Sequence, residues 1–123
     1  MPTYLLDTCI LIDYFKGHPG AVSFLEALNT PPFLSTLTLS ELYAGVREGR
    51  ERQLLDGLIR HFTVIPLEIN TAIKGGLYKR QYAKSHGVGL VDALIAACAE
   101  EKGLVVATRN IKHFPTLKTI CPY

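Results

Sequence analysis

The stretch LVDALIAACAEEKGLVVATRN, residues 90–110, decides how the rest of the chain is read. Its first ten residues hold a single charge, Asp92, among apolar residues at helical spacing, which predicts a helix packed on several sides. Gly103 is a stop signal for that helix. Leu104–Ala107 is apolar throughout, the pattern of a strand buried on both faces in a parallel sheet. An unpaired carboxylate is costly to bury, so Asp92 either caps its helix or meets something that compensates it.

Outward from this stretch, short strands alternate with helices. Thr3–Leu6 reads as a first strand running into a helix from about Cys9 to Phe15, and Ala21–Leu28 as a second helix after Gly17 and Pro19. Pro31 and Pro32 break the chain before a strand at Phe33–Ser35. Helices are predicted over Leu39–Val46 and Arg52–Arg60, then a strand over Phe62–Ile65 stopped by Pro66. Asn70 is the expected cap of a long helix reaching Ser85. Such alternation implies right-handed crossovers and an α/β fold, its parallel sheet covered on both faces.

At 123 residues the chain is expected to form a single domain, 1–123, large enough for a real core. A formal net charge of +2 is too small to imply nucleic-acid binding by itself. Its distribution says more: no acid lies between Glu68 and Asp92, where Lys74, Lys79, Arg80 and Lys84 fall. Arg47, Arg50, Arg52 and Arg60 form a second basic group, diluted by Glu48, Glu51 and Asp56. A solvated helix face and a phosphate-binding track both fit these charges. Cys9, Cys98 and Cys121 are odd in number and lack metal-type spacing, so no disulfide framework is expected. MPTYLLD is not a signal peptide, and no segment approaches the ~20 apolar residues that span a bilayer, so a cytoplasmic location without membrane contact is expected.

Open parallel sheets bind ligands beyond the carboxyl ends of their strands. Asp7 follows the first strand, Glu41 is expected in the first turn of the third helix, Asp92 opens its helix, and Thr108, Arg109 and Asn110 follow the last apolar strand. Each has a structural alternative. Asp7 and Asp92 suit helix caps, Thr38 and Glu41 suit a capping box, Asn110 suits a turn, and Asp13 suits solvent or a supporting acid. Their coincidence on one rim is less easily explained, because clustered carboxylates repel unless a cation sits between them. Carboxylates suit Mg²⁺ or Mn²⁺ rather than zinc. His18, His61, His86 and His113 show no paired ligand spacing and read as surface or turn residues. GHPG and GVG match no nucleotide loop, and Ser40 has neither a histidine partner nor a nucleophile elbow.

YLLDTCILIDYF, LSELYAG, LVDALIAACA and VATRNIKHF, in this order, resemble the PIN-domain family and more narrowly its VapC-type toxin ribonucleases, over essentially the whole chain. The resemblance implies a three-layer α/β/α sandwich and a metal-dependent ribonuclease. Asp7, Glu41 and Asp92 match the family's acids, with Asn110 at its fourth polar position and His113 three residues beyond. It further implies Mg²⁺ or Mn²⁺ held by Asp7 and Asp92 with Glu41 completing the shell or orienting a water, and Thr8, Asp13, Ser40 and Thr108 in supporting or phosphate-orienting places. Arg47, Lys74, Lys79, Arg80 and Lys84 are then candidates for the RNA backbone. A homodimer and a cognate antitoxin are implied as partners, with Leu54–Phe62 and Tyr78–Tyr82 as compatible surfaces. Two other classes remain: a magnesium-dependent phosphoryl-transfer domain, and a non-catalytic RNA- or protein-binding module. Against the former, Asp7-Thr8-Cys9 lacks the second acid of an Asp-x-Asp nucleophile motif, and Arg109 stands where a lysine is needed.

Overall fold

The strands are short, but side-chain alternation along them divides the interior in two. A computed structural model describes residues 3–123. It contains β1 (Tyr4–Leu6), α1 (Thr8–Phe15), α2 (Pro19–Glu26), β2 (Phe33–Ser35), α3 (Thr36–Gly45), α4 (Arg50–Ile59), β3 (Thr63–Ile65), α5 (Ile69–His86), α6 (Leu90–Lys102), β4 (Val105–Ala107) and β5 (Thr119–Ile120). All strands pair in parallel in the order β3-β2-β1-β4-β5, with Leu5 opposite Val106 on one side and Phe33 on the other. Leu5, Val106 and Ile65 pack with Ile95, Ala96 and Ala99 of α6 and with Phe114. Leu6, Leu34 and Ala107 face the opposite way, onto Ile10, Leu11, Leu42 and Leu55 of α1, α3 and α4. Helices on both faces of a parallel sheet make the expected three-layer α/β/α architecture. Leu5, Leu6, Ile10, Leu11, Leu34 and Ile95 are fully buried, and each such side chain contributes ~1.5–3 kcal/mol of transfer free energy.

Two glycines set the geometry of α6. Gly103, at φ 66°, ends it in the left-handed conformation, as expected. Gly75 of α5 lets the two helices approach closely: a β-carbon there would lie 3.1 Å from Leu94 Cα and overlap the Leu94 side chain. Cys98 is buried in α6, and all three cysteines are free.

Several boundaries differ from the sequence expectation. α3 begins at Thr36 rather than Leu39, because β2 passes into it without a loop and Ser35 becomes the cap, its Oγ accepting from Thr38 N at 3.1 Å. The expected Thr38–Glu41 capping box is therefore absent, and Glu41 lies in the second turn of α3. α5 starts at Ile69, with Glu68 in the cap position and no side-chain cap bond, so Asn70 does not cap it. β5 was not anticipated. Its two half-buried residues are too short for a periodic signal, yet they cover the β4 edge, with Thr108 N donating to Ile120 O at 3.0 Å. Among the described residues no helix is long and apolar enough to cross a membrane.

Candidate active site

The strand order places a crevice between β1 and β4. From β1 the chain steps outward to β2 and β3, whereas β4 and β5 lie on the other side, so the topological switch falls at the carboxyl ends of β1 and β4. Asp7 and Thr108 are the residues that follow those two strands. Asp7 is 5% exposed and holds two roles at once. Its Oδ1 accepts from Thr8 N at 2.9 Å and caps α1, while its Oδ2 accepts from the fully buried Thr108 hydroxyl at 2.7 Å. The Cys9 thiol lies 3.6 Å from the same Oδ2, and burial holds that thiol above its usual pKa, in the donor form. A buried carboxylate is thus fixed from both strand ends.

Glu41 reaches the same rim from α3. The Thr8 hydroxyl donates to its Oε1 and lies 3.3 Å from Thr38 Oγ1, tying the start of α1 to α3. Asp92 sits in the first turn of α6 but does not cap it: Gly89 occupies the cap position and no side chain bonds there. Instead its Oδ2 lies 3.1 Å from His113 Nδ1, on the 3₁₀ turn Ile111–His113. Burial pushes the Asp92 carboxyl above its usual range, the charges of Asp7 and Glu41 push it further, and His113 opposes them. The charges of Asp7 and Glu41 are therefore felt at Asp92. The three side chains do not form a ready-made cage: among the described residues no three His, Cys, Asp or Glu side chains stand in metal-holding geometry. The donor set is nonetheless one of hard oxygens under mutual repulsion, the condition a divalent cation relieves.

The other residues singled out from sequence divide. Thr8 and Thr108 stand beside the acids, donating to Glu41 and to Asp7. Asn110 contributes its backbone N–H, donated to Thr108 Oγ1 at 2.9 Å, while its side chain is exposed. Ser40 is turned away; its hydroxyl bonds the Thr36 carbonyl of its own helix. Asp13 is also removed from the acids, further along α1, where it accepts from Tyr123 and Arg109. Arg47 pairs with Glu51, Lys74 approaches Glu100 at 3.9 Å, and Lys79 donates to Val88 O. Arg80 and Lys84, one helical turn apart on α5 and exposed, have no such partner among the described residues, whereas Lys74 and Lys79 of the same helix are engaged. Tyr78 packs against the core and donates to Pro115 O rather than offering a surface. His113 lies in the 3₁₀ turn Ile111–His113, in keeping with the expectation of a surface or turn residue, but its ring is half-buried against Asp92. The signal available was its place between Asn110 and the buried Phe114, which forces that turn against the sheet.

A family model described as PIN domain matches residues 4–117. The chain belongs to the PIN-domain family. It is 33% identical to Ribonuclease VapC10 of Mycobacterium tuberculosis over 121 residues, covering 96% of this chain and 90% of that protein. It is 31% identical to the tRNA(fMet)-specific endonuclease VapC of Salmonella typhimurium, covering 98% and 96%. Among solved structures, a chain of a toxin–antitoxin complex from Klebsiella pneumoniae superposes with a TM-score of 0.85 at 29% identity, with 98% of each chain covered. This PIN domain is accordingly of the VapC type, and its acids stand at the switch point of its sheet.

Proposed function

We propose that this PIN domain is a metal-dependent endoribonuclease, the toxin of a type II toxin–antitoxin pair. The observation that carries the reading is Asp7: buried, held between Thr8 N and Thr108 Oγ1, with the charges of Glu41 and Asp92 bearing on one another beside it. A buried carboxylate so fixed, beside an Asp92 whose pKa is raised by burial and by the neighbouring acids, suits function better than stability. The similarity to a ribonuclease, to a tRNA(fMet)-specific endonuclease and to a chain of the Klebsiella toxin–antitoxin complex supports the substrate class and the partner.

Asp7 and Asp92 would hold Mg²⁺ or Mn²⁺, with Glu41 completing the shell or orienting a water. What the ion supplies when bound is positive charge against phosphate oxygens and a water of lowered pKa. The chain's own groups do the rest. The Thr108 hydroxyl restrains the Asp7 carboxylate, the Thr8 hydroxyl restrains Glu41, and His113 Nδ1 lies against Asp92, so each acid has a fixed neighbour. Asn110, held to Thr108 through its backbone N–H and exposed, would orient a water or a phosphate. Arg80 and Lys84 are the best available contacts for the RNA backbone.

A groove of ≈ 240 Å³ between α1, α3 and α4 is the candidate seat for the antitoxin: Ile12, Phe15, Leu42, Val46 and Leu55 line it together with Lys16, Glu51 and Glu41. A segment lying there would contact Glu41 of the acid rim. The exposed stripe Ile69, Ile73 and Leu77, at every fourth residue of α5, offers a face for a second copy of the chain.

The test is cleavage of RNA by the purified chain, with Mg²⁺ or Mn²⁺ and with EDTA. Cleavage that depends on the ion and is suppressed by the cognate antitoxin is the expected result. Cleavage unaffected by EDTA would overturn the metal-dependent reading.

A further inference from the structure

Asp13, expected from the family resemblance only in a supporting or phosphate-orienting place, forms a cluster with Arg109 and Tyr123 away from the acids. Asp13 Oδ2 accepts from the Tyr123 hydroxyl at 2.7 Å and from the Arg109 guanidinium at 3.2 Å. That guanidinium lies over the Tyr123 ring, 5.4 Å from its centroid, and His18 stacks on the ring at 4.9 Å. The ring is seated in a slot: a β-carbon on Gly20 would come within 2.7 Å of Tyr123 Cγ. Hydrogen bonding to Tyr123, and secondarily to Arg109, holds the Asp13 carboxyl below its usual range, while burial and the Asp13 bond raise the Tyr123 hydroxyl. The acceptor is thus charged and the donor neutral at physiological pH.

An exposed ion pair of this kind contributes little to stability by itself. Its place in the chain is what matters. Arg109 lies between Thr108, whose hydroxyl holds Asp7, and Asn110, whose N–H holds that hydroxyl. Its own backbone N–H meets Cys9 Sγ at 3.5 Å, and its side chain meets Asp13 one turn further along α1. The 108–110 turn is therefore fastened to α1 at two points, and Thr108 is delivered to Asp7 Oδ2 next to the first.

We propose that Tyr123, Asp13 and Arg109 act as a clamp that positions the Thr108 turn, and through it the Asp7 carboxylate, for divalent-ion binding and RNA cleavage. This rests on the metallonuclease reading above. The three are positioning residues, each acting through Thr108 rather than on the reacting atoms.

The test compares the full chain with Tyr123→Phe, which keeps the ring in its slot and removes only the hydroxyl, and with Arg109→Met and Arg109→Lys. Mn²⁺ affinity is measured by calorimetry, kcat and KM on an RNA oligonucleotide, and Tm in EDTA. Tyr123→Phe and Arg109→Met are expected to weaken Mn²⁺ binding and lower kcat by about three- to tenfold, below the ~10–100-fold typical of a group bonded directly to a ligand. KM and the Tm in EDTA should stay near the unsubstituted values, and Arg109→Lys should restore part of the loss. Unchanged Mn²⁺ affinity in both Tyr123→Phe and Arg109→Met would overturn the clamp, whatever happens to Tm. A chain that binds Mn²⁺ but cuts no RNA would remove the ribonuclease reading alone, since the Mn²⁺ comparison still decides the clamp. A chain that binds no Mn²⁺ would overturn both.

Discussion

Thr108 shows most plainly how one hydroxyl serves both fold and site. It is fully buried, donates to Asp7 Oδ2 and accepts from Asn110 N. Thr108→Ala leaves a buried carboxylate oxygen without its partner and should cost about 1–3 kcal/mol, measured by urea unfolding. RNA cleavage should fall by at least about tenfold, the usual scale for a group supporting a ligand, and Thr108→Ser should recover most of both. Asp92 makes a second prediction at this scale. Its folded pKa is raised, first by burial and then by Asp7. The folded state therefore binds the proton more tightly than the unfolded one. Between the ordinary aspartate pKa and the raised one, stability falls as pH rises, and above that window the ionised carboxylate is a constant cost. Thermal unfolding without metal should show this slope, and Asp92→Asn should flatten it. Asp7 and Asp92 stand where sequence reading expects them, one directly after a strand and one in the first turn of a helix, whereas Glu41 falls a turn deeper into α3 than expected. The contacts of His113 and Tyr123 were not legible, because their partners, Asp92 and Asp13, lie 21 and 110 residues away and no local pattern announces such pairings.

At the scale of elements, the sequence was most readable where an element is long or carries its own punctuation. α6 is apolar on nearly every side and ends at Gly103, and both features survive unchanged in the structure. α3 was misjudged at its start because Thr36-Leu37-Thr38 looks like a polar connection, whereas Ser35 caps the helix directly from the strand. β5 is visible only through what it covers. The contact of α5 with α6 could not be read from sequence at all, since Gly75 and Gly76 are equivalent there, and only Gly75 faces Leu94. Gly75→Val should destabilise the fold by about 1–3 kcal/mol through overpacking, whereas Gly76→Ala, open to solvent, should not. Denaturant unfolding of the two variants distinguishes them.

At the scale of the whole molecule, the fold class followed from alternation alone, but the surface did not. Lys74, Lys79, Arg80 and Lys84 look like one basic run in sequence, yet the helix spreads them and two are engaged with neighbours. Arg80→Ala with Lys84→Ala should weaken RNA binding and reduce the slope of log affinity against log salt by about 1–2. Titration of RNA binding at several salt concentrations measures that slope. Arg47→Ala, already paired with Glu51, should change it less.

The central claim is that Asp7, Glu41 and Asp92 are crowded because a divalent ion belongs among them. The most direct measurement is the thermal stability of the unsubstituted chain and of Asp92→Asn, each with EDTA and with Mn²⁺, alongside RNA cleavage by both. The account predicts that Mn²⁺ stabilises the unsubstituted chain and supports cleavage. Asp92→Asn should be at least as stable in EDTA, unresponsive to Mn²⁺, and inactive. An Asp92→Asn chain that is still stabilised by Mn²⁺ and still cleaves RNA would contradict it.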